Sequence, residues 1–154
     1  MAGKKKKSTT RSGTNLESLD QYTFFLDRAL ESYALRDALK QLGARVEMHR
    51  DHFEEGADDP EWLPEVARQG WIILSTDQFN YLEREAIRNA GGRAFLLMQG
   101  SIKGDEQAAL IVGAMRRMLR ILKSHPPPFI AKIYRAKRVL ILSAELRPHS
   151  SISR

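Results

Sequence analysis

Residues Asp59 to Asp77 read DPEWLPEVARQGWIILSTD, and this stretch decides the fold. Trp62, Leu63, Val66 and Ala67 recur at helical spacing. Pro60 suits a first helical turn capped by Asp59, and Gly70 supplies the stop. Trp71, Ile72, Ile73 and Leu74 then run without a polar interruption, the pattern of a strand buried on both faces. The strand ends at Asp77. Upstream, Tyr22 to Leu26 is a second apolar strand, and it delivers Asp27 at its own C-terminal end. Two strands ending in aspartates bring both carboxylates to one edge of a sheet, the edge at which open α/β sheets bind ligands.

The same reading extends in both directions to an α/β domain. Leu30, Ala34, Leu35, Ala38, Leu39 and Leu42 mark a helix ended by Gly43, and Arg45 to Met48 is a short strand. Together with Tyr22 to Leu26 they predict a strand, helix, strand unit with a right-handed crossover. Beyond Asp77, Leu82, Ala86 and Ile87 mark a helix ended by Gly91 and Gly92, and Arg93 to Met98 forms a strand. The longest helix spans Asp105 to Lys123, with Ala108, Ile111, Met115, Met118 and Leu122 on its core face and the methionines as flexible core fillers. The segment FIAKIYRAKRVLIL reads as two short strands around Arg135 to Lys137. Residues 1–20 are expected to be a disordered basic tail, 21–144 one domain, and 145–154 a frayed tail.

The length of 154 residues suits a single core. With no cysteine, the chain has no disulfide framework, thiolate metal site or cysteine nucleophile. No apolar run approaches the roughly 20 residues that span a bilayer, so a soluble, cytoplasmic protein with no membrane partner is expected. Neither a Gly-x-Gly-x-x-Gly nor a P-loop pattern is present, which removes the usual dinucleotide and nucleoside triphosphate cradles. His49, Asp51 and His52 are ligand types, but they fall in a segment without clear periodicity and read as exposed loop residues. Gly100 to Gly104 reads as a turn.

Charge narrows the chemistry. The net charge is +6, yet acidic residues crowd between Glu47 and Glu65 while Lys and Arg dominate near Lys4 to Lys7 and after Lys103. Carboxylates to hold a cation within a basic surround that holds a phosphate backbone are what a metal-dependent nuclease requires. Asp27, Asp59 and Asp77 at neighbouring strand and helix ends would repel one another unless a cation lay between them. An all-oxygen set selects Mg²⁺ or Mn²⁺. Asp51, just past a strand end, and Glu61, beside Asp59, are rivals for a further acidic position. Arg116, Arg120 and Lys123 line one stripe of the long helix and are candidates to track phosphates, as is Arg28 beside Asp27.

From about Tyr22 to Leu142 the chain resembles PIN-like domains related to VapC toxins. The resemblance rests on Phe25-Leu-Asp-Arg28, Asp51-His-Phe53, Pro60 to Val66, Trp71 to Asp77, LEREAI and PPPFIAKIYR. It implies a three-layer α/β/α sandwich with a central, mainly parallel sheet and a small C-terminal β-hairpin. It also implies a Mg²⁺- or Mn²⁺-dependent endoribonuclease, commonly a toxin with a cognate antitoxin protein and commonly a homodimer. Asp27, Asp59 and Asp77 would then be catalytic metal ligands. Ser75 would match a hydroxyl two residues before the last aspartate, and Asp51 or Glu61 would take the fourth acidic place. A non-catalytic module that binds nucleic acid or a partner protein, and a DNA nuclease, are the other functions expected of such a chain.

Overall fold

The computed structural model describes residues 19–30, 32–54, 56, 59–98, 104–135 and 137–142, with the side chains of Asp59 and Pro60 outside that set. The tail expected at 145–154 lies outside it, as do the basic run at residues 4–7 and residues 100–103 of the expected turn. Leu19 and Asp20, assigned to the N-terminal tail from sequence, open a 3-10 turn, and Leu19 is buried in the core.

The apolar segments become strands β1 (Thr23–Leu26), β2 (Arg45–Met48), β3 (Ile72–Ser75), β4 (Arg93–Leu97), β5 (Phe129–Ile133) and β6 (Val139–Leu142). They form one sheet in the order β2-β1-β3-β4-β5-β6. All neighbours pair in parallel except β5 with β6, whose antiparallel pairing makes the expected C-terminal hairpin. Between them run helices α1 (Tyr33–Gln41), α2 (Asp59–Arg68), α3 (Tyr81–Asn89) and α4 (Gly104–Ser124). Ser32 caps α1 by accepting from the Leu35 N–H at 2.9 Å, and Asn80 with Glu83 forms a capping box on α3.

Strand alternation divides the core into two layers. Phe24, Leu26, Ile72, Leu74, Phe95 and Leu97 face α1 and α4. Phe25, Ile73, Ala94, Leu96 and Ile130 point the other way, against Trp62, Leu63 and Val66 of α2 and Ile87 of α3. The result is a three-layer α/β/α sandwich with a mainly parallel central sheet. The core face read for α4 holds, since Ile111, Met115 and Met118 have no exposed surface.

The helix read from Leu82, Ala86 and Ile87 forms as α3, with Leu82 75% exposed, five residues and about 140° of turn from buried Ile87. Two local expectations change. In α1, Leu35 and Leu39 carry the buried line and Ala34 lies outside it. His49 is fully buried instead of lying in an exposed loop. It belongs to a 3-10 turn, His49–Asp51, and its ring packs 5.3 Å from Trp62 and 5.4 Å from Phe53. Asp51 and His52 are exposed as expected, and His52 Nε2 hydrogen-bonds Glu47 Oε1 at 2.6 Å.

Candidate active site

The chain leaves β1 on one side to form β2, then crosses to the other side to form β3. That reversal opens a crevice at the C-terminal ends of β1 and β3, the position at which open parallel sheets receive ligands. Asp27 follows β1 directly, and Ser75 is the last residue of β3. Parallel register sets Leu26 beside Leu74, so the next residues out on the two strands meet at this edge.

A chain of hydrogen bonds joins them. Asp27 is only 3% exposed, and its Oδ2 accepts from the Ser75 hydroxyl at 2.6 Å. Its Oδ1 accepts from the Arg28 backbone N–H at 2.6 Å, while its own N–H donates to the Leu74 carbonyl at 3.0 Å. Ser75 Oγ in turn accepts from the Asp77 backbone N–H at 2.9 Å. One buried hydroxyl therefore fixes the carboxylate at one strand end and the backbone carrying the carboxylate at the other. Asp77 itself is exposed, and its Oδ1 accepts from the Phe79 N–H at 2.9 Å.

Phe79 holds this turn under strain. Its φ of 55° lies in the left-handed region, which costs a non-glycine residue roughly 1–2 kcal/mol. Burial of its ring, which meets Trp62 edge-on at 6.5 Å, offsets the cost.

The start of α2 lies at the same edge. α2 follows β2 and must run back before β3 starts, so its first residue, Asp59, stands at the C-terminal edge of the sheet. It also stands on the favourable face: α2 packs on the layer of Phe25 and Ile73, and by alternation Asp27 and Ser75 continue that face. Trp62, one turn into α2, anchors it with its ring 5.3 Å from Phe25.

The other residues singled out from sequence fall at different places. Arg28 is exposed beside Asp27. Ser75 has no exposed surface, so its hydroxyl acts on Asp27 and Asp77 within the protein. Asp51 and Glu61 are exposed, and among the described residues no three acidic or histidine side chains converge closely enough to hold a metal ion. Arg116, Arg120 and Lys123 are exposed but recede from the carboxylates. α4 starts at the C-terminal edge, with Gly104 against Ser32, and about 1.5 Å of rise per residue carries Arg116 roughly 18 Å and Lys123 roughly 28 Å along it. The sequence showed the stripe without showing the direction of the helix.

Chemically, Asp27 and Asp77 are hard oxygen donors of the type that suits Mg²⁺ or Mn²⁺. Asp27 and Asp77 are carried to one sheet edge by the Ser75 hydroxyl, and in residue type they fit such an ion. Among the described residues no helix is long and apolar enough to cross a membrane.

No match was found among curated proteins or solved structures. The family model described as "PIN like domain" matches residues 23–99, half of the chain, from the start of β1 to just beyond β4 and including Asp27, Asp59, Ser75 and Asp77. With its mainly parallel three-layer fold, nuclease-type in architecture, the chain belongs to the PIN-like domain family.

Proposed function

We propose that this protein is an endoribonuclease dependent on Mg²⁺ or Mn²⁺, serving as the toxin of a toxin–antitoxin pair, with RNA as substrate and a cognate antitoxin as protein partner. The observation that carries the nuclease reading is the bonded series Asp27–Ser75–Asp77 across the crevice between β1 and β3. Asp27, Asp59 and Asp77 would hold the ion. When bound, it supplies Lewis-acid polarisation of the scissile phosphodiester.

The chain's own residues do the rest. Bonds to both oxygens of Asp27 hold its carboxylate in one orientation, so no reorganisation is needed when charge builds on the phosphate. Asp77 is open to solvent and takes the proton of the attacking water as the water oxygen bonds to phosphorus. The P–O bond to the leaving oxygen breaks, and that oxygen takes a proton from solvent. Arg28, exposed next to Asp27, pairs with the phosphate backbone.

Asp77→Asn is the cleanest test, since the amide oxygen still accepts from the Phe79 N–H and only the charge is lost. Cleavage of a mixed RNA pool, followed during Mn²⁺ titration, should fall at least about 100-fold, equivalent to roughly 2.7 kcal/mol of barrier. Unchanged cleavage by the folded variant overturns the reading. A second reading, a non-catalytic module that binds nucleic acid or a partner protein, draws on the net charge of +6. It expects salt-sensitive RNA binding with no cleavage at any Mn²⁺ concentration.

A further inference from the structure

Tyr33 is an exposed aromatic residue at the working edge of the sheet. It opens α1 at 53% exposure, and the other large hydrophobics exposed among the described residues are the aliphatic Leu82 and Leu140. Two guanidinium groups converge on its ring. Arg36 Cζ lies 4.5 Å from the ring centroid and Arg50 Cζ 5.3 Å, and Arg50 Nη1 donates to the Tyr33 hydroxyl at 2.8 Å. The Nε–H of Arg36 donates to Asp37 Oδ1 at 2.9 Å, which steadies that guanidinium on the helix surface.

These side chains come from different elements. Tyr33 and Arg36 follow β1 through the 3-10 turn Arg28–Leu30, and Arg50 belongs to the turn after β2. Because β1 and β2 are parallel neighbours, both turns stand at the edge that carries Asp27, about one strand spacing of 4.8 Å apart. A flat ring under planar cations suits a single-stranded polynucleotide: a base takes the place of a guanidinium on the ring face, and the displaced arginine pairs with the phosphate. A duplex keeps its base faces inside the stack and cannot use the ring in this way.

We propose that Tyr33, with Arg36 and Arg50, is a stacking platform that grips an unpaired base of single-stranded RNA at the C-terminal edge of the sheet, on its α1 side. The assignment rests on the reading that the edge beside Asp27 receives RNA.

The test is fluorescence anisotropy of a labelled single-stranded RNA with the full chain in EDTA, so that binding is measured without cleavage. Tyr33→Ala should weaken binding about tenfold, and Tyr33→Phe should stay within about twofold of wild type. Arg50→Ala should lower the salt slope by about one. An oligonucleotide with abasic positions should bind wild type and Tyr33→Ala equally. The proposal is overturned if Tyr33→Ala binds like wild type, if the loss is as large on the abasic strand, or if a duplex of equal length binds as tightly. A parallel Mn²⁺ cleavage assay separates the two claims: platform effects without cleavage by wild type sink the nuclease and leave the platform, and cleavage with no platform effect does the reverse.

Discussion

At the scale of single residues, the hydroxyl of Ser75 has the most depending on it. It donates to a buried carboxylate and accepts from the backbone two residues on, so Ser75→Ala strips a partner from both. An unsatisfied buried polar group costs about 1–3 kcal/mol, and thermal denaturation should show a loss of that size. Cleavage should fall as well, because Asp27 loses the bond that orients its Oδ2. Loss of stability with full cleavage would mean that the orientation of Asp27 is set elsewhere. Phe79 illustrates a related compromise: its left-handed backbone is tolerated because its N–H closes onto Asp77 and its ring is buried.

At the scale of elements, Gly92 controls how α2 and α3 approach the sheet. A Cβ there would lie 2.7 Å from the Ala67 Cβ and 3.0 Å from Ile87 Cγ2, on two different helices. Neither neighbour is the loose end of a long side chain, so Gly92→Ala must move a helix. Overpacking of this kind costs about 1–3 kcal/mol, to be read from the urea midpoint, and because α2 begins at Asp59 the cleavage rate should fall with it.

The element scale also explains what was legible beforehand. The buried strands announced themselves, since Trp71 to Leu74 and Tyr22 to Leu26 are apolar on both faces. The strand-end aspartates could be read from that pattern alone. His49 could not, because a histidine between Met48 and Arg50 gives no periodic signal and its burial depends on Trp62 and Phe53 arriving from other elements. The Tyr33 cluster was invisible for the same reason: Arg50 meets Tyr33 across 17 residues. The stripe Arg116, Arg120 and Lys123 was legible as a face, but its distance from the carboxylates depends on which end of α4 stands at the sheet edge.

At the scale of the whole molecule, a cation bound between strand ends would tie the fold to its ligand. If Asp27 and Asp77 hold Mn²⁺, the ion stabilises only the folded chain, by about 2.7 kcal/mol at a hundredfold excess over Kd. The melting temperature of wild type should rise by several degrees with Mn²⁺ and return on chelation. Asp27→Asn should melt at the same temperature with and without the ion. An equal rise in the variant would assign the binding to another part of the protein.

The bond between Ser75 and Asp27 spans 48 residues of chain, with α1, β2 and α2 lying between its ends. Such long-range pairings form late, after the entropy of closing the loop has been met. During synthesis the first aspartate is made well before its partner strand exists, so the growing polypeptide has no assembled centre until β3 has been translated and docked. On the nuclease reading, a chain truncated before Ile72 would be inert, and hydrolysis would begin only once the sheet had closed around β1.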